Sequence, residues 1–247
     1  LWDIDADGLA RTASELDPGG DKVTTAVVDV SDPDRIEHAG RAVLDENGPV
    51  GILFNNAGIV VGKSFAEHTR QDIERSIRIN VQGSMHVARV FRPALLEAGV
   101  GHIVNVASAA ALTPNPNMSV YAASKWAVLG WSESLRLEME ATGPTFKATT
   151  VCPSYVDTGM FHGARAPILT SMLPVDSFVR QILDAVERDK ILLRRPRIVN
   201  LMPFLRGSLP TRLFDLVVGR GLKIYSSMDR FKGHGPAPGS SKVPPGS

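Results

Sequence analysis

Gly101-His-Ile-Val-Asn-Val-Ala-Ser108 and Ser119-Val-Tyr-Ala-Ala-Ser-Lys-Trp126 decide the fold of this 247-residue chain and locate its candidate site. The first stretch has the length and apolar composition of a buried parallel strand, and it ends on the hydroxyl of Ser108. The second predicts a helix that carries Tyr121 and Lys125 on one face, four residues apart. A nearby ammonium favours phenolate, so Lys125 is expected to lower the pKa of Tyr121 from about 10. The three side chains predict a proton-handling site, although an exposed helix could also carry a solvated Tyr–Lys pair.

Short apolar runs alternate with longer helical patterns along the rest of the chain, which predicts βαβ units. The expected fold is therefore α/β, with a doubly wound parallel sheet in three layers and helices on both faces. Asp32 followed by Pro33 is a typical helix start. The predicted strands cover residues 23–30, 50–54, 101–107, 146–151 and 191–193, and the predicted helices cover 5–16, 33–46, 70–98 with a break near Gly83, 119–141 and 174–186.

Composition excludes several classes of protein. Cys152 is the only cysteine, so neither an intrachain disulfide nor a cysteine zinc site is expected, which fits a reducing cytoplasm. The sequence shows no apolar run of about 18 residues and no secretion signal. The six histidines lie in no metal-ligand spacing, so no metal is predicted. Ser108 is outside a Gly-x-Ser-x-Gly elbow, which argues against an α/β-hydrolase, and nothing predicts a nucleic-acid partner.

Positive charge is concentrated near the carboxyl end. Residues 194–232 contain nine Lys or Arg and two acids, a net charge of +7 in a chain whose total is +1. This basic and apolar extension could contact an anionic membrane surface. Alternatively, it forms a helix that packs on the domain or on another subunit. The predicted organisation is a catalytic domain over 1–193, the extension over 194–232 and a disordered tail over 233–247.

Three further motifs occur at fixed places in the chain, Asn55-Asn-Ala-Gly58, Ile79-Asn-Val-Gln-Gly83 and Val151-Cys-Pro-Ser-Tyr-Val-Asp-Thr-Gly159. Together with Ser108 and the Tyr121–Lys125 pair, this ordered set resembles the classical short-chain dehydrogenase/reductase family from residue 1 to about residue 190. The expected fold is then Rossmann-like. Short strings at 1–5, 107–110 and 152–159 most resemble the branch of retinol and 17-beta-hydroxysteroid dehydrogenases.

The resemblance implies reversible hydride transfer between an alcohol and its ketone or aldehyde. Tyr121 would then be the general acid and base, and Ser108 would orient the substrate oxygen. Lys125 would lower the pKa of Tyr121 and hold the nicotinamide ribose. Asn80 would kink its helix and hold a water that links Lys125 to solvent, unless it simply faces solvent.

The resemblance also implies a cofactor site. Asp3 would accept hydrogen bonds from the adenosine ribose, so NAD is expected in preference to NADP, which is not excluded. Alternatively, Asp3 or Asp5 only caps the next helix. Asp29 and Val30 resemble an adenine-contacting pair, unless they form an ordinary strand-end turn. The remaining predicted cofactor contacts are Asn56, Ala57, Gly58, Tyr121, Lys125, Pro153, Val156 and Thr158, with Ser154 at a position where many family members have glycine.

Apolar side chains in residues 109–118 and 159–173 are expected to flank the nicotinamide. They favour a lipophilic alcohol or ketone as substrate, unless the second segment is a mobile lid packed on the domain. Tyr155 could also line this pocket. The helix that continues after Lys125 is rich in apolar residues, which are either core or a subunit interface, and the resemblance implies a homodimer or homotetramer.

The amino terminus has no Gly-rich turn of the kind that approaches a dinucleotide pyrophosphate. In the resembling family Leu1-Trp-Asp3 matches the end of the second strand, so an amino-terminal truncation is expected. The missing strand would lie between the strands that end at Asp3 and Phe54, and its absence would leave backbone groups unpaired. A non-catalytic dinucleotide-binding protein, or an inactive fragment, is the alternative. The intact Ser108, Tyr121 and Lys125 argue against it.

Overall fold

The computed structural model describes residues 1–233 and residue 235. Strands and helices alternate as the sequence predicts, and the predicted tail lies outside the described residues apart from Gly233 and Gly235. The elements are β1 (Trp2–Asp3), α1 (Ala6–Leu16), β2 (Ala26–Val27), α2 (Pro33–Asn47), β3 (Ile52–Asn55), α3 (Arg70–Ile77), a π-helical turn (Arg78–Gly83), α4 (Ser84–Glu97), β4 (Gly101–Val106), α5 (Ser119–Thr142), β5 (Phe146–Pro153), α6 (Val175–Glu187), β6 (Leu192–Arg195), α7 (Met202–Ser208), α8 (Thr211–Phe214) and a second π-helical turn (Asp215–Gly221).

The strands β3, β4, β5 and β6 form one parallel sheet in that order, flanked by helices on both faces. Ile103 of β4 packs with residues of α4 and α5 on one face. Its neighbour Val104 points the other way and packs with Phe178 of α6. Both β4 residues are fully buried, as expected for an apolar run without alternation. The predicted α/β architecture is confirmed.

The remaining strands, β1 and β2, pair with each other in a separate two-stranded parallel sheet. In the described part of the chain, no ladder joins β1 to β3. A cavity of about 460 Å³ lies between β1 and β3. Ile52 and Phe54 of β3 are exposed beside this gap.

The prediction of a strand over residues 23–30 is wrong in length, because β2 contains only two residues. On its amino side, the Asp17 carboxylate accepts hydrogen bonds from the backbone N–H groups of Lys22, at 2.5 Å, and Val23, at 2.9 Å. On its carboxyl side, the Asp29 carboxylate accepts a bond from the Ser31 N–H. These local bonds fold the backbone into turns on both sides of the short strand.

The carboxyl-terminal extension packs on the domain. This agrees with the alternative prediction that the segment forms a helix packed on the domain or on another subunit. Val199, Met202, Phe214 and Val218 join the core that contains Val128 of α5. The solvent-facing side of the extension keeps exposed apolar and basic side chains. In the described residues, every helix is too short or too polar to cross a bilayer.

Candidate active site

Ser108, Tyr121 and Lys125 converge on one buried site, and each is less than 10% exposed. Ser108 follows β4 and caps a 3-10 turn, because its hydroxyl accepts a hydrogen bond from the Ala110 N–H at 3.1 Å. The same hydroxyl lies 3.5 Å from the Pro153 carbonyl, so it is fixed between β4 and β5. The alternative interpretation, a solvated Tyr–Lys pair on an exposed helix, is therefore wrong.

The sequence predicts that Lys125 lowers the pKa of Tyr121. For the side chains of this chain alone, that prediction is wrong. Burial raises the pKa of Tyr121 to about 12, and the nearby Ser108 hydroxyl only partly offsets this rise. Burial also lowers the pKa of Lys125 to about 8. The Lys125 ammonium lies 5.8 Å from the Tyr121 ring centre and donates a 2.8 Å hydrogen bond to the Val106 carbonyl. Desolvation therefore dominates both groups.

Asn80 lies in the π-helical turn between α3 and α4, where the sequence predicts a break, and it is 1% exposed. Its side-chain oxygen accepts a 2.8 Å bond from the Ile59 N–H, and its nitrogen donates a 3.0 Å bond to the Ile59 carbonyl. The nitrogen also donates to the Ser124 hydroxyl at 3.0 Å. The solvent-facing alternative is wrong, because Asn80 joins the interrupted helix to α5 and to the loop after β3.

Replacing Asn80 by Ala is expected to lower the free energy of unfolding by about 2–3 kcal/mol, because it leaves the partly buried N–H and C=O groups of Ile59 and the buried Ser124 hydroxyl without this partner. Urea denaturation measures this change. Asn47→Ala is the matched control, since its amide bonds a backbone carbonyl at an exposed helix end. A loss for Asn80→Ala no larger than for Asn47→Ala would contradict the assigned structural role.

The loop after β3 approaches the same site. A Cβ atom on Gly58 would lie 3.2 Å from the Asn80 side-chain oxygen and 3.5 Å from the Lys125 ammonium nitrogen. A larger side chain would therefore press on both polar atoms, which explains why a residue without Cβ fits here. Gly58, Asn80 and Lys125 form one continuous group at the carboxyl ends of the strands.

Several of the predicted cofactor residues surround the cavity between β1 and β3. Asp3, Val30, Asn56 and Ala57 all line it. The Asp3 carboxylate is exposed and accepts one hydrogen bond, from the Asp5 N–H at 3.0 Å. Asp5 occupies the cap position of α1 but its side chain makes no capping bond.

Asp29 is arranged differently from these four residues. Its carboxylate accepts the 2.8 Å bond from the Ser31 N–H, and this bond holds the pKa of Asp29 below its usual value. The geometry therefore matches the strand-end turn that the sequence left as the alternative for Asp29. Its neighbour Val30 still reaches the cavity wall.

Pro153, Val156 and Thr158 lie at and beyond the carboxyl end of β5, on the Ser108 side of the site. Val156 forms a parallel bridge with Leu173, and the Thr158 N–H donates to the Val156 carbonyl at 2.9 Å. These bonds hold the segment in a tight turn. The structure thus divides the predicted cofactor contacts between two regions, one beside Asp3 and one beside Ser108.

A second, smaller cavity of about 70 Å³ opens beside Ser108, and its walls are mostly apolar. The predicted segments 109–118 and 159–173 both contribute to it, and Tyr155 lines it as expected. The sequence reasoning missed the contribution of the carboxyl-terminal extension. The residues it supplies are Ile198, Val199, Met202, Leu222 and Ile224. The apolar run that begins at Ile198 was the only sequence signal for this wall.

Comparison with known proteins identifies the class that this arrangement defines, an α/β oxidoreductase with a buried Ser–Tyr–Lys site. The family model "short chain dehydrogenase" matches residues 1–168. The chain therefore belongs to the short-chain dehydrogenase family, and it is an oxidoreductase that acts on an alcohol or ketone.

Relatives and solved structures agree with this membership. The chain is 32% identical over 239 residues to short-chain dehydrogenase/reductase family 16C member 6 of Bos taurus, covering 94% of this chain and 76% of that protein. It is 35% identical over 218 residues to retinol dehydrogenase 10-A of Danio rerio, covering 86% and 63%. A short-chain dehydrogenase/reductase from Burkholderia phymatum in complex with NAD superposes with a TM-score of 0.74 at 27% identity, covering 90% and 86%.

Proposed function

We propose that the chain is a nicotinamide-dependent alcohol dehydrogenase or carbonyl reductase in which Ser108, Tyr121, Lys125 and Asn80 handle the substrate proton. The observation that carries this proposal is the burial of all four side chains, with the Lys125 ammonium 5.8 Å from the Tyr121 ring centre and both Lys125 and Asn80 beside Gly58. A nicotinamide dinucleotide, when bound, supplies the hydride acceptor or donor. The protein aligns the substrate oxygen and moves its proton.

Each side chain has a defined part in this proton transfer. Ser108 donates a hydrogen bond to the substrate oxygen. Tyr121, whose pKa is raised to about 12 by burial, stays protonated at neutral pH and gives its proton to that oxygen during carbonyl reduction. During alcohol oxidation it must release a proton first. The Lys125 ammonium, 5.8 Å from the Tyr121 ring centre, would attract the phenolate and so counteract part of the effect of burial, and Asn80 keeps the loop and helix beside Lys125 in place.

The function is tested by incubating the chain with NAD or NADP and a series of primary and secondary alcohols, while the absorbance of reduced nicotinamide is recorded. Carbonyl compounds with reduced cofactor test the reverse direction. Turnover in either direction supports the proposal. Binding of dinucleotide without turnover of any substrate would favour the alternative, a non-catalytic dinucleotide-binding protein.

We infer that NAD is preferred to NADP because of Asp3. The adenosine half of a dinucleotide would lie at the carboxyl ends of β1, β2 and β3, where Asp3, Val30, Asn56 and Ala57 border the cavity between β1 and β3. The Asp3 carboxylate would accept bonds from ribose hydroxyls and repel a 2′-phosphate. One of its oxygens already holds the Asp5 N–H, which fixes its orientation.

Asp3→Asn is expected to reduce the preference for NAD over NADP by about tenfold, because it removes a repulsion worth about 1–2 kcal/mol. Competition binding of the two dinucleotides measures the ratio of their Kd values. Asp5→Asn is the matched control, since Asp5 is also exposed but does not line the cavity. An unchanged ratio of the two Kd values in Asp3→Asn would contradict the role of Asp3 in the preference for NAD.

A lipophilic alcohol or ketone is the proposed substrate. Beside Ser108, the smaller cavity is walled by apolar side chains such as Met118, Phe161 and Ile198. Apolar walls contribute about 25 cal/mol for each Å² of apolar substrate surface removed from water. Two similar proteins have names that point the same way, epidermal retinol dehydrogenase 2 of Homo sapiens and retinol dehydrogenase 10-A of Danio rerio.

We also propose a cytoplasmic enzyme that contacts anionic membranes through residues 194–232. The outer surface of this extension, here called the outer face, combines apolar and basic side chains, and Phe204 on it is 67% exposed. The inner face of the same segment lines the substrate cavity. The exposed apolar residues are Leu201, Phe204, Leu213, Leu216 and Val217, and the exposed basic residues are Arg197, Arg206, Arg212, Arg220, Lys223, Arg230 and Lys232.

A Phe204→Ser, Leu216→Ser double variant is expected to bind phosphatidylglycerol vesicles at least tenfold more weakly than the parent, because two apolar anchors are lost. Sedimentation at low and high salt measures the bound fraction. Leu137→Ser is the control, since Leu137 is 58% exposed on α5 and outside the outer face. Absence of parent protein from the vesicles at low salt would contradict the membrane contact.

A homodimer or homotetramer remains a proposal for this chain. It is supported by two apolar side chains on the surface of α5, Trp126 and Leu137, which are both exposed. Light scattering of the purified chain measures the number of subunits.

A further inference from the structure

The substrate cavity beside Ser108 has three walls that come from distant parts of the chain. The first lies within residues 108–118, the second within 154–170 and the third within 198–224. A volume of about 70 Å³ is far below the roughly 300–1,000 Å³ of pockets that bury larger organic ligands. This cavity can therefore enclose a large alcohol only if at least one wall moves.

One polar side chain from each wall, or from the residues next to it, meets the other two. The Tyr155 hydroxyl lies 2.7 Å from the Ser227 hydroxyl. The side-chain amide of Asn115 lies 3.2 Å from the Tyr155 hydroxyl and 3.0 Å from the Ser227 hydroxyl. Ser227 also donates to the Ile224 carbonyl at 2.7 Å. We call Asn115, Tyr155 and Ser227 the polar clasp; the proposed proton transfer uses none of them.

Two members of the polar clasp are buried and Asn115 is partly buried, so the bond between the two hydroxyls is shielded from water while the clasp stays closed. Tyr155 is 7% exposed and Ser227 is 2% exposed. Burial raises the pKa of Tyr155, so its hydroxyl remains protonated and can donate. Opening the clasp therefore costs the net stabilisation of each hydrogen bond that water replaces imperfectly.

The polar clasp is also connected to the reactive end of the cavity. The Phe161 ring packs edge-on against Tyr155, with ring centres 5.0 Å apart, and against Tyr121 at 6.3 Å. Two backbone hydrogen bonds join the second and third walls, from the Arg165 N–H to the Ser227 carbonyl at 2.8 Å and from the Ile168 N–H to the Leu222 carbonyl at 2.9 Å. A shift of the clasp therefore moves the cavity walls together.

We propose that the polar clasp determines which alcohols enter the cavity, by holding its three walls at the spacing that fits a short carbon chain. A long-chain alcohol binds only when the clasp opens, so its affinity includes the cost of opening. A short alcohol binds to the closed form and avoids that cost. The inference rests on the proposed function, because it concerns the size of the substrate of that same site.

The test compares the binding of butanol and decanol to the full chain by calorimetry, without turnover. Tyr155→Phe and Ser227→Ala each remove one hydroxyl of the clasp. Each is expected to shift the ratio of the two Kd values about fivefold in favour of decanol, because each loses hydrogen bonds that hold the clasp closed. Tyr225→Phe is the matched control, because the Tyr225 hydroxyl donates to the Asp215 carboxylate at 2.5 Å and does not line the cavity.

Amide hydrogen exchange over residues 222–232 gives a second measurement, and it should quicken in both clasp variants. An unchanged ratio, or equal weakening of both alcohols, would overturn the proposal, because a purely structural role affects both ligands alike. Parent protein that binds neither alcohol would overturn it too. Ser227→Ala serves if Tyr155→Phe does not fold. A shifted ratio in a chain without nicotinamide-dependent turnover would refute the proposed reaction and leave the clasp standing.

Discussion

Tyr121→Phe is expected to lower kcat for alcohol oxidation by about a thousandfold, since proton transfer by a positioned side chain contributes about 10²–10⁴-fold. The substituted ring keeps its packing against Phe161, and only the hydroxyl that exchanges a proton with the substrate is lost. Steady-state kinetics measures the change. Calorimetric binding of NAD should be unaltered, because the loss concerns the chemical step.

The appropriate control for this substitution is Tyr225→Phe, which also removes a hydrogen-bonded hydroxyl but lies away from Ser108 and Lys125. It should retain turnover. Activity in Tyr121→Phe close to that of the parent would show that another group transfers the proton. Loss of both activity and NAD binding would instead indicate damage to the fold.

Lys125→Met is expected to abolish turnover and yet raise the free energy of unfolding at about pH 7 by about 2 kcal/mol. The gain arises because burial lowers the pKa of Lys125 from 10.5 to about 8, so the folded chain at neutral pH carries a poorly solvated charge. The lost hydrogen bond to the Val106 carbonyl offsets part of the gain. Urea denaturation at several pH values measures it.

The pH dependence gives this prediction a distinct signature. Between about pH 8 and 10.5 the unfolded chain keeps the Lys125 proton and the folded chain releases it, so the stability of the parent rises with pH in this window. The advantage of Lys125→Met should therefore shrink as the pH increases. Lys147→Met is the control, because Lys147 is only half-buried and forms a surface pair with Asp189. A constant difference across the window would contradict the assigned cause.

Local sequence predicted the elements whose signals are local. The run that ends at Ser108 and the helix that carries Tyr121 were both identified, because burial on two faces and helical spacing leave distinct patterns. The cap at Asp32 is confirmed by bonds from the Asp34 and Arg35 N–H groups. β2 was predicted too long, since hydrophobic composition does not report the side-chain bonds that end it.

Other features of the site depend on tertiary structure. The pKa of Tyr121 follows from complete burial, which the sequence does not specify, and so the attraction of Lys125 was overestimated. Asn115 and Ser227 are in contact although they are 112 residues apart in the sequence, and sequence periodicity does not predict such a contact. The break near Gly83 was predicted, whereas its π-helical form required the structure.

The gap between β1 and β3 also affects how the protein will behave in solution. A strand edge presents a row of N–H and C=O groups, and in the described residues no ladder joins β1 to β3 across the opening that both strands border. An extended apolar peptide could form a ladder there, and it would occupy the space proposed for the adenosine half of the dinucleotide. The bound peptide and the dinucleotide would then compete for the same space. If the peptide belongs to a second copy of the chain, saturating dinucleotide should suppress self-association.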